Sequence, residues 1–88
     1  MQKWIFKLEN EHVAQASHNM LSGDMDFKMD GKTIHTGTLR KGKDLILPFL
    51  VEDKKGELKV YYSKSLIGGF ELVIYELTVD GAKIPASH

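Results

Sequence analysis

The side chains best suited to chemistry in this chain are its four histidines, His12, His18, His35 and His88. Imidazole titrates near neutral pH, ligates metals and serves as a general acid or base, so most site chemistry would recruit it. His12 and His18 share a parity on one strand-like segment. Six extended residues separate them by about 20 Å, too far for both to hold one metal. His35 belongs to another segment, and the sequence leaves open whether it approaches either of them; His88 is terminal. No pair has metal-ligand spacing, so these read as surface or hydrogen-bonded histidines.

Acidic residues tell a similar story. "DMDFKMDG", Asp24 to Gly31, has the look of a calcium loop. Such a loop needs acids at its first, third and fifth positions and glycine at its sixth, where Lys28 and Met29 stand here. The pattern instead describes a strand with Asp24, Asp26, Lys28 and Asp30 outward and Met25, Phe27 and Met29 inward. Glu71 and Glu76 sit inside an apolar run but fall on opposite faces by parity. No serine has a nucleophile-elbow context. "LIGGFE" lacks the Gly-Lys-Ser/Thr ending of a phosphate loop. The chain has no cysteine, which removes disulfides, thiolate metal sites and cysteine nucleophiles together. No catalytic set and no cofactor motif emerges, so the expectation is a non-enzymatic protein without a cofactor.

Binding residues are the next candidates. Arg40 and Lys41 in "RKGK", like Lys54 and Lys55 in "DKKGE", occupy loops with acids close by. They read as solubilising turns, with anion contact as the sharper alternative. Tyr61 and Tyr62 are adjacent, so on a strand one of them points outward, where it could anchor a protein partner or a sugar ring. Trp4, Phe6, Phe27, Phe49 and Phe70 read as core.

The segments that carry these residues alternate in polarity. Trp4, Phe6 and Leu8 alternate with Lys3, Ile5 and Lys7; Leu58, Val60 and Tyr62 alternate with Lys59, Tyr61 and Ser63. A period of two with one apolar face marks half-buried strands. "LILPFLV" and "FELVIYELTV" are apolar on both faces and read as central or long strands. Turn signals recur at short, even intervals: "ENEH", "LSGD", "MDGK", "RKGK", "EDKKGE", "SLIGG" and "VDGAK". The pattern predicts eight strands, over 3–8, 12–20, 25–30, 33–39, 45–52, 57–64, 70–79 and 83–86, with little or no helix. Short strands at this spacing form a compact antiparallel β-sandwich or small barrel. Pro48 should lie at a bulge or face outward on an edge, and Gly37 should mark another bulge. Asp-Gly at 30–31 and 80–81 predicts hairpins with positive φ at both central residues; the extra residue before Lys83 suggests a wider or shifted second turn. The tail "PASH" should be frayed.

Eighty-eight residues make one domain, spanning 1–88, which buries about 60–65% of its unfolded surface. Twelve basic and twelve acidic residues leave no cationic surplus for nucleic acid or an anionic membrane. The longest apolar run, "LILPFLV", is too short to span a bilayer. "MQKWIFKLENEH" lacks the apolar core of a signal peptide. Together with the missing disulfides, these features point to a cytoplasmic setting.

Several signals also occur together: His12-Val13, His18, Ser22-Gly23, "MDGK" at 29–32, Phe49 in an apolar strand, Gly69-Phe70, and "YELTVDG" at 75–81. In this order they resemble the Fas apoptotic inhibitory molecule family, over most of the chain. The resemblance implies an eight-stranded β-sandwich without a catalytic site, acting in survival signalling or against protein aggregation; it assigns no functional residue. The resulting expectation is a non-enzymatic protein-interaction domain, with a small-ligand or carbohydrate-binding sandwich as the alternative. The open edges of such a sandwich also suggest a homodimer through an edge strand.

Overall fold

The structure is a computed structural model. It describes residues 2–19, 21–40, 42–67 and 70–87, without the side chains of 63–67 and 70–72. Eight strands are present: β1 (Gln2–Lys7), β2 (Val13–His18), β3 (Asp24–Met29), β4 (Lys32–Thr38), β5 (Leu45–Val51), β6 (Lys54–Ile67), β7 (Phe70–Val79) and β8 (Ala82–Ile84). A single 3-10 turn at Glu9–Glu11 is the one helical element among the described residues.

The strands form two four-stranded antiparallel sheets, ordered β1-β2-β3-β4 and β5-β6-β7-β8. Each sheet is an up-and-down meander, and the two pack face to face as a β-sandwich. Alternation decides which side is inward. Phe6, Ala14, Ala16, Met25 and Phe27 of the first sheet meet Leu47, Phe49, Leu58, Val60 and Leu77 of the second in one shared core. Two aromatic contacts cross between the sheets: Phe27 meets Phe49 edge to face, with centroids 5.2 Å apart, and Trp4 stacks on Tyr75. Phe70 lies outside the residues whose side chains are described.

Turn chemistry sets the register. Asp30-Gly31 and Asp80-Gly81 both take positive φ, 52° and 83° in the first, 50° and 81° in the second. Both are two-residue hairpins, closed by the pairs Met29–Lys32 and Val79–Ala82. The second turn is therefore no wider than the first. Its additional residue, Ala82, enters β8, and Lys83 pairs with Thr78.

Three further expectations change. The turn after β5 lies at Glu52-Asp53, both with positive φ, so β6 begins at Lys54 rather than 57. Gly56, which suggested the turn, sits inside β6 opposite Phe49, and a side chain there would run into the Phe49 ring. Gly37 pairs with Met25 in regular register; the bulge in β4 falls instead at Ile34, where the pairing steps from Phe27–His35 to Lys28–Thr33. "LILPFLV" is not a central strand: β5 is the edge of its sheet, with Ile46, Pro48 and Leu50 facing out. Pro48 meets its expectation, outward on an edge and in regular pairing with Glu57.

Candidate functional site

Three places gather the candidate residues. The first is the end of the sandwich where the turns after β1, β3 and β5 converge. His12 is not on β2; it caps the 3-10 turn just before it. Its Nδ1 lies 2.6 Å from Asp30 Oδ2 and its Nε2 lies 3.4 Å from Glu52 Oε1. Ionised carboxylates only accept hydrogen bonds, so both ring nitrogens donate when His12 is imidazolium. The hydrogen bond to Asp30 and the nearby Glu52 raise the His12 pKa above its ordinary value. Asp30 is held below the usual carboxylate range, first by the Val13 N–H and then by His12. Glu52 is lowered by the Asn10 side-chain amide and by His12. Beside them Lys54 donates to Glu9 at 2.7 Å, which raises the lysine pKa.

Backbone geometry explains why these groups meet. Asp30 occupies a left-handed turn position, and its Oδ1 turns back to accept the Val13 N–H at 2.9 Å. Glu52 holds φ of 48°, uncommon for a glutamate, and accepts from Asn10 Nδ2 at 2.6 Å. Asp30 belongs to the first sheet and Glu52 to the second, so His12 clamps the two together. Next to the clamp lies a cleft of about 480 Å³ with an apolar floor that includes Leu8, Val51, Val79 and Ile84, and a rim carrying Glu9, Lys54 and Asp80. It offers charge and apolar surface, and its lining holds no serine, threonine, cysteine or histidine.

The second place is the outer face of the β5-β6-β7-β8 sheet. Tyr61 is the outward tyrosine of its pair and Tyr62 packs against the core. The Tyr61 hydroxyl donates to Glu76 Oε1 at 3.2 Å, and Lys59 Nζ sits 5.3 Å from its ring centroid. Desolvation and the Glu76 carboxylate raise its pKa. Lys59 also approaches Asp44 at 3.5 Å, and Lys83 approaches Glu76 at 3.7 Å, so Tyr61 belongs to a ladder of paired charges rather than standing alone as an anchor. Arg40 bridges to Lys43 across the turn between the sheets, and Lys41 lies outside the described residues, as does the Glu71 side chain. Along the β5 edge of this face run Ile46, 51% exposed, Pro48, and Leu50, 67% exposed. They line a groove of about 590 Å³ with Lys55 and Glu57 on its border. Ile34, on the bulge of β4, is one residue from His35, whose Nε2–H donates to the Pro48 carbonyl oxygen. A carbonyl can only accept, which fixes the His35 tautomer.

The third place is the opposite end of the core, where His18 pairs with Gln2 and Met25. His18 is fully buried, and neither of its ring nitrogens has a hydrogen-bond partner among the described residues. Burial lowers its pKa. Gln2 Oε1 and the Tyr75 hydroxyl are likewise buried and without a partner among the described residues, and burial raises the Tyr75 pKa.

The three described histidines do not converge. His12 sits on carboxylates, His18 in the core, and His35 on a backbone carbonyl about two strands from β2. Among the described residues no group of three or more histidine or acidic side chains is arranged to hold a metal ion, and no helix is long and apolar enough to cross a membrane. The clamp escaped sequence reasoning because its members are far apart along the chain; the one legible trace was Asp30 in its turn. The outward row of β5 was legible as apolar but was read as buried. No family model matches the chain, and no curated protein and no solved structure matches it. The likeness to Fas apoptotic inhibitory molecule proteins rests on the sequence motifs alone.

Proposed function

We propose that this is a non-enzymatic protein-interaction domain that docks a partner on the apolar row Ile46, Pro48 and Leu50. The observation that carries this reading is that β5 is apolar on both faces although it is an edge strand. Its inward residues build the core; its outward ones lie outside that core. Exposed apolar surface concentrated in one row marks an interaction site.

The edge also restricts the partner. Pro48 has no N–H, and His35 occupies its carbonyl, so strand addition along β5 meets a gap at its centre. An amphipathic helix satisfies its own backbone and needs only an apolar groove. Lys55 and Glu57 border that groove and suit a helix flanked by charges of both signs. Selection from a displayed library of amphipathic helical and extended peptides, followed by titration against wild type and Leu50→Lys, tests the reading. Helical peptides should be enriched and their affinity lost in Leu50→Lys. Binders indifferent to Leu50→Lys, or none at all, would count against it.

A second reading is a small-ligand site, and the cleft beside the His12 clamp favours it. An apolar floor with Glu9, Glu52 and Asp80 at the rim, against Lys7 and Lys54, suits a compact apolar molecule with a cationic end. A thermal-shift panel of such amines against wild type and Val79→Lys decides it; a uniform lack of shift removes it.

A further inference from the structure

The four outer strands of the sandwich are each closed to further pairing. The Ile5 carbonyl on β1 accepts both the backbone N–H and the Oγ of Ser87, at 2.7 and 3.1 Å. β4 carries the bulge at Ile34. β5 carries Pro48, whose carbonyl His35 already occupies. β8 is three residues long and includes Lys83. Short edges, bulges, prolines and charges are the means by which sandwiches avoid pairing with copies of themselves.

The edge of β7 that runs on beyond β8 escapes this treatment. β5 accompanies β6 only as far as Val60, and β8 accompanies β7 only from Leu77 onward. Beyond those points β6 and β7 continue to pair with each other, through Tyr61–Ile74 and Tyr62–Val73 and then, past an irregularity on β6 between Tyr62 and Leu66, through Leu66–Glu71 to Ile67–Phe70. They form a two-stranded arm with a free edge on each side among the described residues. A two-stranded ribbon is marginal by itself in water. We propose that the arm is a self-association element, and that its β7 edge, residues 70–76, pairs antiparallel with the same edge of a second copy.

Register selects β7 over β6. On β6 the ladder is irregular between Tyr62 and Leu66, and a bulge in an edge disfavours further pairing along it. The two-fold pairing over 70–76 is centred on Val73. It opposes Phe70 with Glu76, Glu71 with Tyr75 and Leu72 with Ile74, and no like charges face. The backbone is also correctly aimed. Asp80 donates its N–H toward β6, to the Lys55 carbonyl at 2.9 Å, so the alternate residues Val79, Leu77, Tyr75 and Val73 direct their groups to the β8 side. Past β8, those of Tyr75 and Val73 face the open edge. Two copies joined there form one continuous eight-stranded sheet, with a sandwich at either end. This surface is separate from the Ile46–Leu50 row, and the two stand or fall independently.

Sedimentation velocity on the full chain up to millimolar concentration is the direct test. The inference expects a monomer–dimer equilibrium that Val73→Pro weakens about tenfold to a hundredfold, because two central hydrogen bonds are lost by symmetry. Proline there removes a donor from the open edge and none from the β6 pairing. Cysteine cross-linking gives a second readout that does not depend on that variant folding, since the chain has no native cysteine. A hydrogen-bonded Val73–Val73 pair places the Cα atoms about 5.5 Å apart, within disulfide reach. Val73→Cys should oxidise to a covalent dimer and Leu50→Cys should not. A chain that stays monomeric overturns the inference, as does a dimer unaffected by Val73→Pro, or one that cross-links through Leu50→Cys instead of Val73→Cys.

Discussion

Asp30 occupies two roles at once: it makes a left-handed turn, and its carboxylate holds both Val13 and His12. Through His12 the turn of one sheet is tied to Glu52 in a turn of the other, and this gives the molecule a pH signature. The His12 pKa is raised in the fold, so its contribution is complete below the ordinary value of 6.5 and fades as pH rises through the higher folded value. The Asp30 and Glu52 pKa values are lowered, so their share is present above the ordinary 3.8 and 4.5 and is lost as pH falls through the folded values. The clamp is therefore strongest between 4.5 and 6.5. Glu9 and Lys54 lie beside the clamp, paired with each other, and Lys54 lowers the Glu52 pKa in the same direction as His12 does. His18 acts in the opposite sense. Its folded pKa is lowered, so below 6.5 the unfolded chain takes up the proton first and the native state loses stability. Melting temperatures of wild type, His12→Gln and His18→Met across pH 4–8 separate the two. His12→Gln should lose most between 4.5 and 6.5 and converge on wild type above neutrality; His18→Met should flatten the acid limb. In NMR titration His12 should protonate above and His18 below 6.5, and Asp30→Asn should bring His12 back toward that value. Coincident titration of the two histidines would refute the assignment.

At the scale of elements, glycine has two separate uses, and the sequence distinguishes them poorly. Gly81 is a conformational glycine: φ is 81° and open space surrounds it. Gly81→Ala should cost about 1–2 kcal/mol through the backbone alone. Gly56 is a packing glycine, since any side chain there collides with the Phe49 ring. Gly56→Ala should cost about 1–3 kcal/mol by overpacking, and Phe49→Leu in the same chain should recover part of that loss. Urea unfolding of the singles and the double gives both numbers; equal, additive losses at both sites would contradict the distinction. This pair also marks where the sequence was legible. Asp-Gly between alternating runs located the two-residue β3-β4 turn and marked the β7-β8 turn, though not its width, because only a few residue types accept two successive positive φ angles. The β5-β6 turn was missed because it uses Glu52-Asp53, which carry no glycine, while Gly56 nearby drew the reading away. The bulge was placed at Gly37 on composition but arises at Ile34, where the pairing shifts. His12, Asp30 and Glu52 could not be assembled at all, because their proximity depends on two hairpins folding toward each other.

At the scale of the whole molecule, strand order makes the two halves of the chain the two halves of the sandwich. Residues 2–38 build one complete meander and 45–84 the other, and no strand changes sheets. Every ladder is therefore local, while every core contact between sheets is not. Each sheet alone would present one apolar face to water, and a piece of about 40 residues cannot bury enough surface to fold. Cutting the backbone between 40 and 43 breaks no ladder of either sheet and leaves intact what holds the sheets together: the Phe27–Phe49 and Trp4–Tyr75 contacts, the His12–Glu52 and Lys54–Glu9 pairs, and Ser87 on Ile5. The two fragments should each lack fixed structure alone and reassemble when mixed at micromolar concentration, regaining the β-sheet circular dichroism of the intact chain. Reassembly should weaken in Phe27→Ala, which empties the centre of the shared core, by about 3–5 kcal/mol. It should change little in Leu50→Lys, which touches only the outer row. A fragment that folds alone would show that one sheet is covered by its own chain. Loss of reassembly in Leu50→Lys would place the outer row within the fold and remove the reason for reading it as a docking surface.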